Sequence, residues 1–179
     1  MKINRNKIFI VQIPVREISS KTNTVPENKS NLYTVKNHHQ SVSKKVMLAT
    51  ALVQIRYCGG IYTARALIDP CSGESFISKK LLNLVKLPTN SIDAEVTGLG
   101  AEVVSKIENA TSFTLVSKRV RIFSIEVKAL VVPHVTGKTP TSSIDPAMNL
   151  PDLEYANSNF LEISSVDMLL GGDIYPAIL

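Results

Sequence analysis

From Thr63 to Ser78 the chain passes from an unbroken apolar stretch, Ala66-Leu67-Ile68, into an acidic residue, a tight loop and a second apolar run. An apolar stretch without alternation suits a strand covered on both faces, so Asp69 falls where the chain leaves the core. Its carboxylate is thereby held rigidly and partly desolvated, the setting in which an acidic group acquires chemistry. An aspartate there can equally start a turn and cap a following helix, and the segment alone leaves both roles open.

The rest of the composition narrows the setting. A chain of 179 residues, 44% of them apolar, can bury one sizeable core. No run approaches the roughly 18 consecutive apolar residues of a membrane helix, so no membrane partner is expected. The short run Ile8 to Val11 is followed by Gln12 and Pro14 without a small-residue cleavage site, which argues against a signal peptide. Two cysteines, Cys58 and Cys71, cannot build a disulfide framework, and the expected setting is intracellular, the reducing cytoplasm. In that setting the glycosylation triplets at Asn28 and Asn109 carry little weight. His38 and His39 are adjacent with no third ligand nearby, so neither a metal nor another cofactor is expected.

Charge divides the chain in two. Residues 1–45 carry nine Lys/Arg against Glu17 and Glu27, whereas residues 46–179 carry eleven against thirteen Asp/Glu. The segment from Ile18 to Lys45 is also too polar to offset the entropy of ordering, so 1–45 reads as a basic, disordered arm or linker. Weak nucleic-acid contact through phosphate neutralisation is an expectation for it, with Phe9 and Tyr33 its only aromatics and no recognisable binding motif.

Beyond the arm, a strand is predicted from Val46 to Tyr57, a hairpin turn at Cys58-Gly59-Gly60, and a returning strand from Ile61 to Asp69. The spacing of Phe76, Ile77, Leu81, Leu82, Leu84 and Val85 predicts a short amphipathic helix over 74–86, closed by Leu87-Pro88. Two extended pieces over 93–105 meet at a glycine-rich hairpin tip, Gly98-Leu99-Gly100, and further strands are predicted over 110–116 and 120–132. Residues 133–164, with four prolines, read as a long irregular excursion, and 166–173 as a buried strand ending in glycines. The pattern is all-β with one or two short helices.

Several of these segments, taken in order, carry a resemblance. Residues 46–179 resemble the retropepsin-like aspartic protease domain in the Pol polyproteins of BEL/Pao-type retrotransposons. Met47 to Val53 is similar to that family's first strand, and Arg65 to Asp69 with Ser72, Ser75, Phe76 and Ile77 to its active-site strand, loop and helix. Val96 to Gly100 resembles its flap, with Gly98, Leu99 and Gly100 at the tip. Asp145-Pro146 and Val166 to Tyr175 resemble its closing segment, where Leu169, Leu170 and Gly171 pack against the catalytic loop. The resemblance implies a closed β-barrel of the acid protease fold that functions as a homodimer. Asp69 of each copy would be catalytic, without a cofactor or metal, on a peptide or polyprotein substrate lying extended beneath the flap.

The catalytic loop departs from the family's Asp, Ser or Thr, Gly pattern, reading Asp69-Pro70-Cys71-Ser72-Gly73. Pro70 lacks the hydroxyl that in the family ties the two loops together across the dimer axis, and it has no backbone N–H. Cys71 adds a side chain where glycine allows close approach and positive φ. Ser72 can still hydrogen-bond the Asp69 carboxylate, and Gly73 can restore flexibility one position later. Symmetry would bring two Cys71 thiols together, although a buried inert thiol is the plainer reading. An impaired module kept for dimerisation or peptide binding therefore stands beside the active enzyme. Asp167 and Asp173 flank a buried strand and are read as hydrogen-bonding its neighbours rather than as a second catalytic acid.

Overall fold

Ala51, Val53 and Ile55 point inward from alternate positions of β1 (Thr50–Tyr57), the period-two burial of a strand with one covered face. A computed structural model describes residues 47–98, 103–117, 123–144 and 154–178. The basic arm, Leu99, Gly100 and the Asp145-Pro146 pair lie outside them. β1 runs antiparallel to β2 (Gly60–Ile68), with Thr50 opposite Leu67 and Tyr57 opposite Gly60. The turn between them is two residues long, not three. Cys58 (φ 46°) and Gly59 (φ 78°) both occupy the left-handed region, the combination whose twist matches a tight hairpin.

β2 differs from β1 in having no exposed face over its last five residues, Ala64 to Ile68. Its other edge is paired as well. β7 (Met168–Leu170) lies parallel to it, pairing Ala66, Leu67 and Ile68 with Met168, Leu169 and Leu170. β7 is also antiparallel to β3 (Ser75–Ser78), and β3 is parallel to β6 (Ser124–Val132). β6 pairs with the 14-residue β5 (Val103–Val116), which also carries β4 (Asn90–Thr97). The strand order is β1-β2-β7-β3-β6-β5-β4, and β1 additionally pairs with β5 through Gln54, Ile55 and Arg56. Among the described residues the architecture is all-β, seven strands in one sheet, with Ile55, Ile77, Val127, Met168 and Leu170 at the centre of its core.

The helix expected over 74–86 is shorter than its apolar spacing suggested. Ser75 to Ser78 take their backbone partners from β6 and β7 instead of from a helical turn, leaving α1 only Lys79–Val85. Ser78 caps it, its hydroxyl accepting the Leu81 N–H at 3.2 Å, and Lys86 ends it in the left-handed conformation. Leu84, counted in the apolar stripe, is exposed; Leu81 and Val85 supply the buried face. Of the strand expected over 120–132, residues 120–122 lie outside the described residues and Ser124 to Val132 form β6, and the stretch predicted from 110 belongs to β5, Val103–Val116. In the excursion after Pro133 the described residues form no strand or helix beyond a Thr139–Ser164 bridge. A second short helix, α2 (Tyr175–Ile178), follows β7, and among the described residues no helix is long and apolar enough to cross a membrane.

Cys58 is an exposed L-residue at positive φ beside a glycine, a position that asparagine fills with less strain. Cys58→Asn is expected to stabilise the chain by about 0.5–1 kcal/mol, read as a higher urea midpoint at unchanged slope.

Candidate functional site

Asp69 stands one residue beyond β2, half-buried, with Pro70, Cys71 and Gly73 exposed around it. Its backbone N–H donates to the Leu170 carbonyl at 3.0 Å, which extends the β2–β7 pairing by one bond and fixes the residue against the core. The carboxylate Oδ1 accepts the Cys71 N–H at 3.0 Å, and the Asp69 carbonyl accepts the Ser72 N–H at 3.2 Å. These bonds describe an Asx-turn laid over a four-residue turn. Half of the plainer reading of Asp69 is thus correct, since it does start a turn. The other half is not, because Ser78 rather than Asp69 caps α1.

Both unusual loop residues fit this geometry. Pro70 occupies the second position of the turn, where its fixed φ is favourable, and none of the loop's hydrogen bonds needs an N–H from it. Cys71 is not at positive φ, so the loss of glycine causes no backbone strain there, and its thiol is exposed rather than buried. Gly73 is not at positive φ either, and a Cβ on it would meet nothing within 4 Å. Ser72 departs from expectation too, its hydroxyl donating to the Glu74 carbonyl at 2.7 Å instead of to the Asp69 carboxylate.

The glycines that the loop does require follow β7. A Cβ on Gly171 would stand 2.5 Å from the Glu74 carbonyl oxygen and 2.9 Å from that of Ser72. On Gly172 it would lie 3.2 Å from the carbonyl oxygens of Pro70 and Ser72. The Gly172 N–H donates to the Ser72 carbonyl at 2.7 Å, so the loop rests on bare backbone. Leu170 and Gly171 are therefore brought to the Asp69 loop, as is Gly172, which the sequence alone did not single out, whereas Leu169 pairs with Leu67 and Phe76. A glycine pair directly after a buried strand was the available signal. Val96 and Thr97 of the flap end β4, and of its tip only Gly98 is described, directly after that strand.

Asp167 and Asp173 act on neighbouring backbone and side chains, as expected of them. The Asp167 N–H donates to the Arg65 carbonyl at 2.9 Å and its Oδ2 accepts the Arg65 N–H at 2.9 Å, while its own carbonyl accepts from Ser78. Asp173 Oδ1 accepts the hydroxyl proton of Ser75 at 2.9 Å, and Ser75 Oγ accepts the Gly171 N–H at 3.0 Å. Arg65 is itself buried, with Nη1 donating to the Glu162 carbonyl at 3.0 Å and Nε unpaired. Burial lowers the guanidinium below the ordinary arginine range, and the Glu162 and Asp167 carboxylates oppose the shift. A shallow depression lined by Leu48, Tyr155, Asn157 and Phe160 adjoins the start of β1 and shares no residue with the Asp69 loop. Among the described residues no three His, Cys, Asp or Glu are grouped to hold a metal ion.

Gly171→Ala is expected to cost about 3 kcal/mol, the upper end for overpacking a closed site, because the atom it meets is backbone and cannot rotate away. Gly73→Ala, in open space three residues from Pro70, is expected to stay within about 0.5 kcal/mol of the parent in the same urea titration. No model of a known protein family matches the chain and no curated protein matches it, so the geometry of this loop carries the functional reading.

Proposed function

We propose that residues 46–179 are a retropepsin-like aspartic endopeptidase domain of the kind found in BEL/Pao-type retrotransposon Pol polyproteins, active as a homodimer. The observation that carries the reading is the seat of Asp69. An acidic residue leaves a buried strand, its N–H is tied to the strand that separates β2 from β3, and its loop lies on the glycines after that strand. This is what the resemblance requires of the catalytic acid and of Leu169-Leu170-Gly171. The double pairing of β1, to β2 and to β5, supports the closed barrel of that fold, with β1, β2, β7, β3, β6 and β5 forming a ring of consecutive partners.

In this reading a two-fold axis sets Asp69 of one protomer against Asp69 of its partner. Two carboxylates that close cannot both ionise, so the pair holds one proton, and its titration belongs to the pair. The ionised member takes a proton from a water molecule as that water attacks the scissile carbonyl carbon. The protonated member donates to the carbonyl oxygen, giving a neutral tetrahedral diol whose collapse passes a proton to the leaving amine. The Cys71 N–H, bonded to Oδ1, keeps the carboxylate turned consistently while the proton moves. The β4–β5 hairpin would cover an extended peptide paired as an added strand.

Asp69→Asn is expected to lower kcat/KM on a mixed peptide library by about 100- to 10,000-fold with the fold retained, while the parent sediments as a concentration-dependent dimer. Equal cleavage by parent and variant would assign the activity to something other than Asp69. A second reading, favoured by the missing hydroxyl at Pro70, is the same dimer kept for peptide binding without turnover. Replacing Pro70 by Ser and Cys71 by Gly decides between them. Turnover that appears only in the doubly substituted chain assigns the natural loop to the binding role, whereas turnover already present in the parent assigns it to catalysis.

A further inference from the structure

The bonds around Gly171 form one continuous line. The Asp69 N–H donates to the Leu170 carbonyl at 3.0 Å, and the Gly171 N–H, on the opposite side of the same peptide group, donates to Ser75 Oγ at 3.0 Å. Ser75 in turn gives its hydroxyl proton to Asp173 Oδ1 at 2.9 Å. The peptide between Leu170 and Gly171 is planar and rigid, so tilting its N–H moves its C=O by the same angle. A hydroxyl has a single proton. While Asp173 takes that proton, the Ser75 lone pairs face Gly171, and the rotor is set rather than free.

Burial makes this setting consequential. Ser75 is fully buried at 0% exposure, so a hydroxyl left without its acceptor has no water to turn to. Asp173 is exposed and keeps its charge hydrated while one oxygen reaches inward, which makes the bond charge-assisted without burying a carboxylate. The turn after β7 holds it there, because the Gly171 carbonyl accepts both the Ile174 N–H at 3.1 Å and the Tyr175 N–H at 3.0 Å. Bonds linked in series polarise one another, so a charge at one end strengthens the bond at the other.

We propose that Asp173 is a positioning residue: acting through Ser75 and the Leu170–Gly171 peptide, it sets where the Asp69 backbone stands and so how its carboxylate is presented. The inference rests on the endopeptidase reading for its catalytic consequence but not for its structural one, and two readouts separate them. The first is amide hydrogen exchange followed by NMR on the full chain. Asp173→Ala and Ser75→Ala are each expected to accelerate exchange at Asp69 and Gly171 by about tenfold, the equivalent of one lost hydrogen bond. Asp173→Asn, which keeps an oxygen acceptor, and Ser75→Thr, which keeps the hydroxyl, are expected to restore protection, while Ile55 and Val127 in the core strands are unchanged throughout. The second is peptide turnover, where Asp173→Ala is expected to lower kcat by about tenfold at nearly constant KM and Asp173→Asn to recover most of it.

A parent chain without turnover removes the endopeptidase reading and leaves exchange to decide this one. Protection at Asp69 and Gly171 that Asp173→Ala leaves within twofold of the parent overturns the inference. So does equal acceleration in Asp173→Ala and Asp173→Asn, or acceleration shared by Ile55 and Val127, which would make the effect one of global stability.

Discussion

The structure depends on three residues, Met168 to Leu170, being threaded between two strands formed about a hundred positions earlier. β7 pairs with β2 along one edge and with β3 along the other, so its peptide groups are satisfied only if both neighbours are already correctly spaced. Closing so long a loop is entropically unfavourable, and three residues offer few hydrogen bonds in return. Burial supplies the rest, since Met168 and Leu170 are both at 0% exposure and pack with Ile77 in the central cluster. The loop that follows β2 inherits this order. Asp69 is positioned because Leu170 is, and Leu170 is positioned because its side chain is buried and both edges of its strand are occupied.

This dependence also explains what could be read along the chain. The β1–β2 hairpin was legible because alternation in Ala51, Val53 and Ile55, followed by a turn with Gly59, is local information. The continuous apolar character of Ala66 to Ile68 and of Met168 to Leu170 was legible for a related reason. Parallel strands covered on both faces need no alternation, and these two pair with each other. Ser75 to Ser78 misled because a four-residue segment with only Phe76 and Ile77 apolar, beside a helix, has no period of its own. Only β6 and β7, distant in sequence, make it a strand.

Side-chain roles divided along the same line. Asp69 could be singled out from its neighbours, yet the partner of its N–H could not, and the Ser72 hydroxyl turned to the Glu74 carbonyl, an acceptor two residues away that the backbone path alone presents. Gly172 and Ser75 matter through what they touch across the sheet, not through any local motif. Asp167 and Asp173, the same residue type on either side of β7, take different partners: one holds the Arg65 backbone, the other a buried hydroxyl. Residue type limited what each could do, and the crossing of chain segments selected among the possibilities.

Under the endopeptidase proposal, the effect of Pro70 and Cys71 can be located from the same bonds. Within one chain every hydrogen bond of the Asp69 turn is made without a hydroxyl at position 70, and Pro70 sits where a turn favours it. Cys71 supplies its N–H to the carboxylate from an unstrained backbone. Pro70 and Cys71 therefore leave the hydrogen bonds of the turn within one chain intact. What they remove is a bond that, in the proposed dimer, would run from one loop to the other, so their effect falls on how firmly two copies hold their aspartates together. A loop stiffened by proline loses less entropy when two copies meet, which offsets part of a missing contact between protomers. Activity would then follow dimer concentration more steeply than in a loop with the hydroxyl, because association, not the geometry of Asp69, is the weakened step.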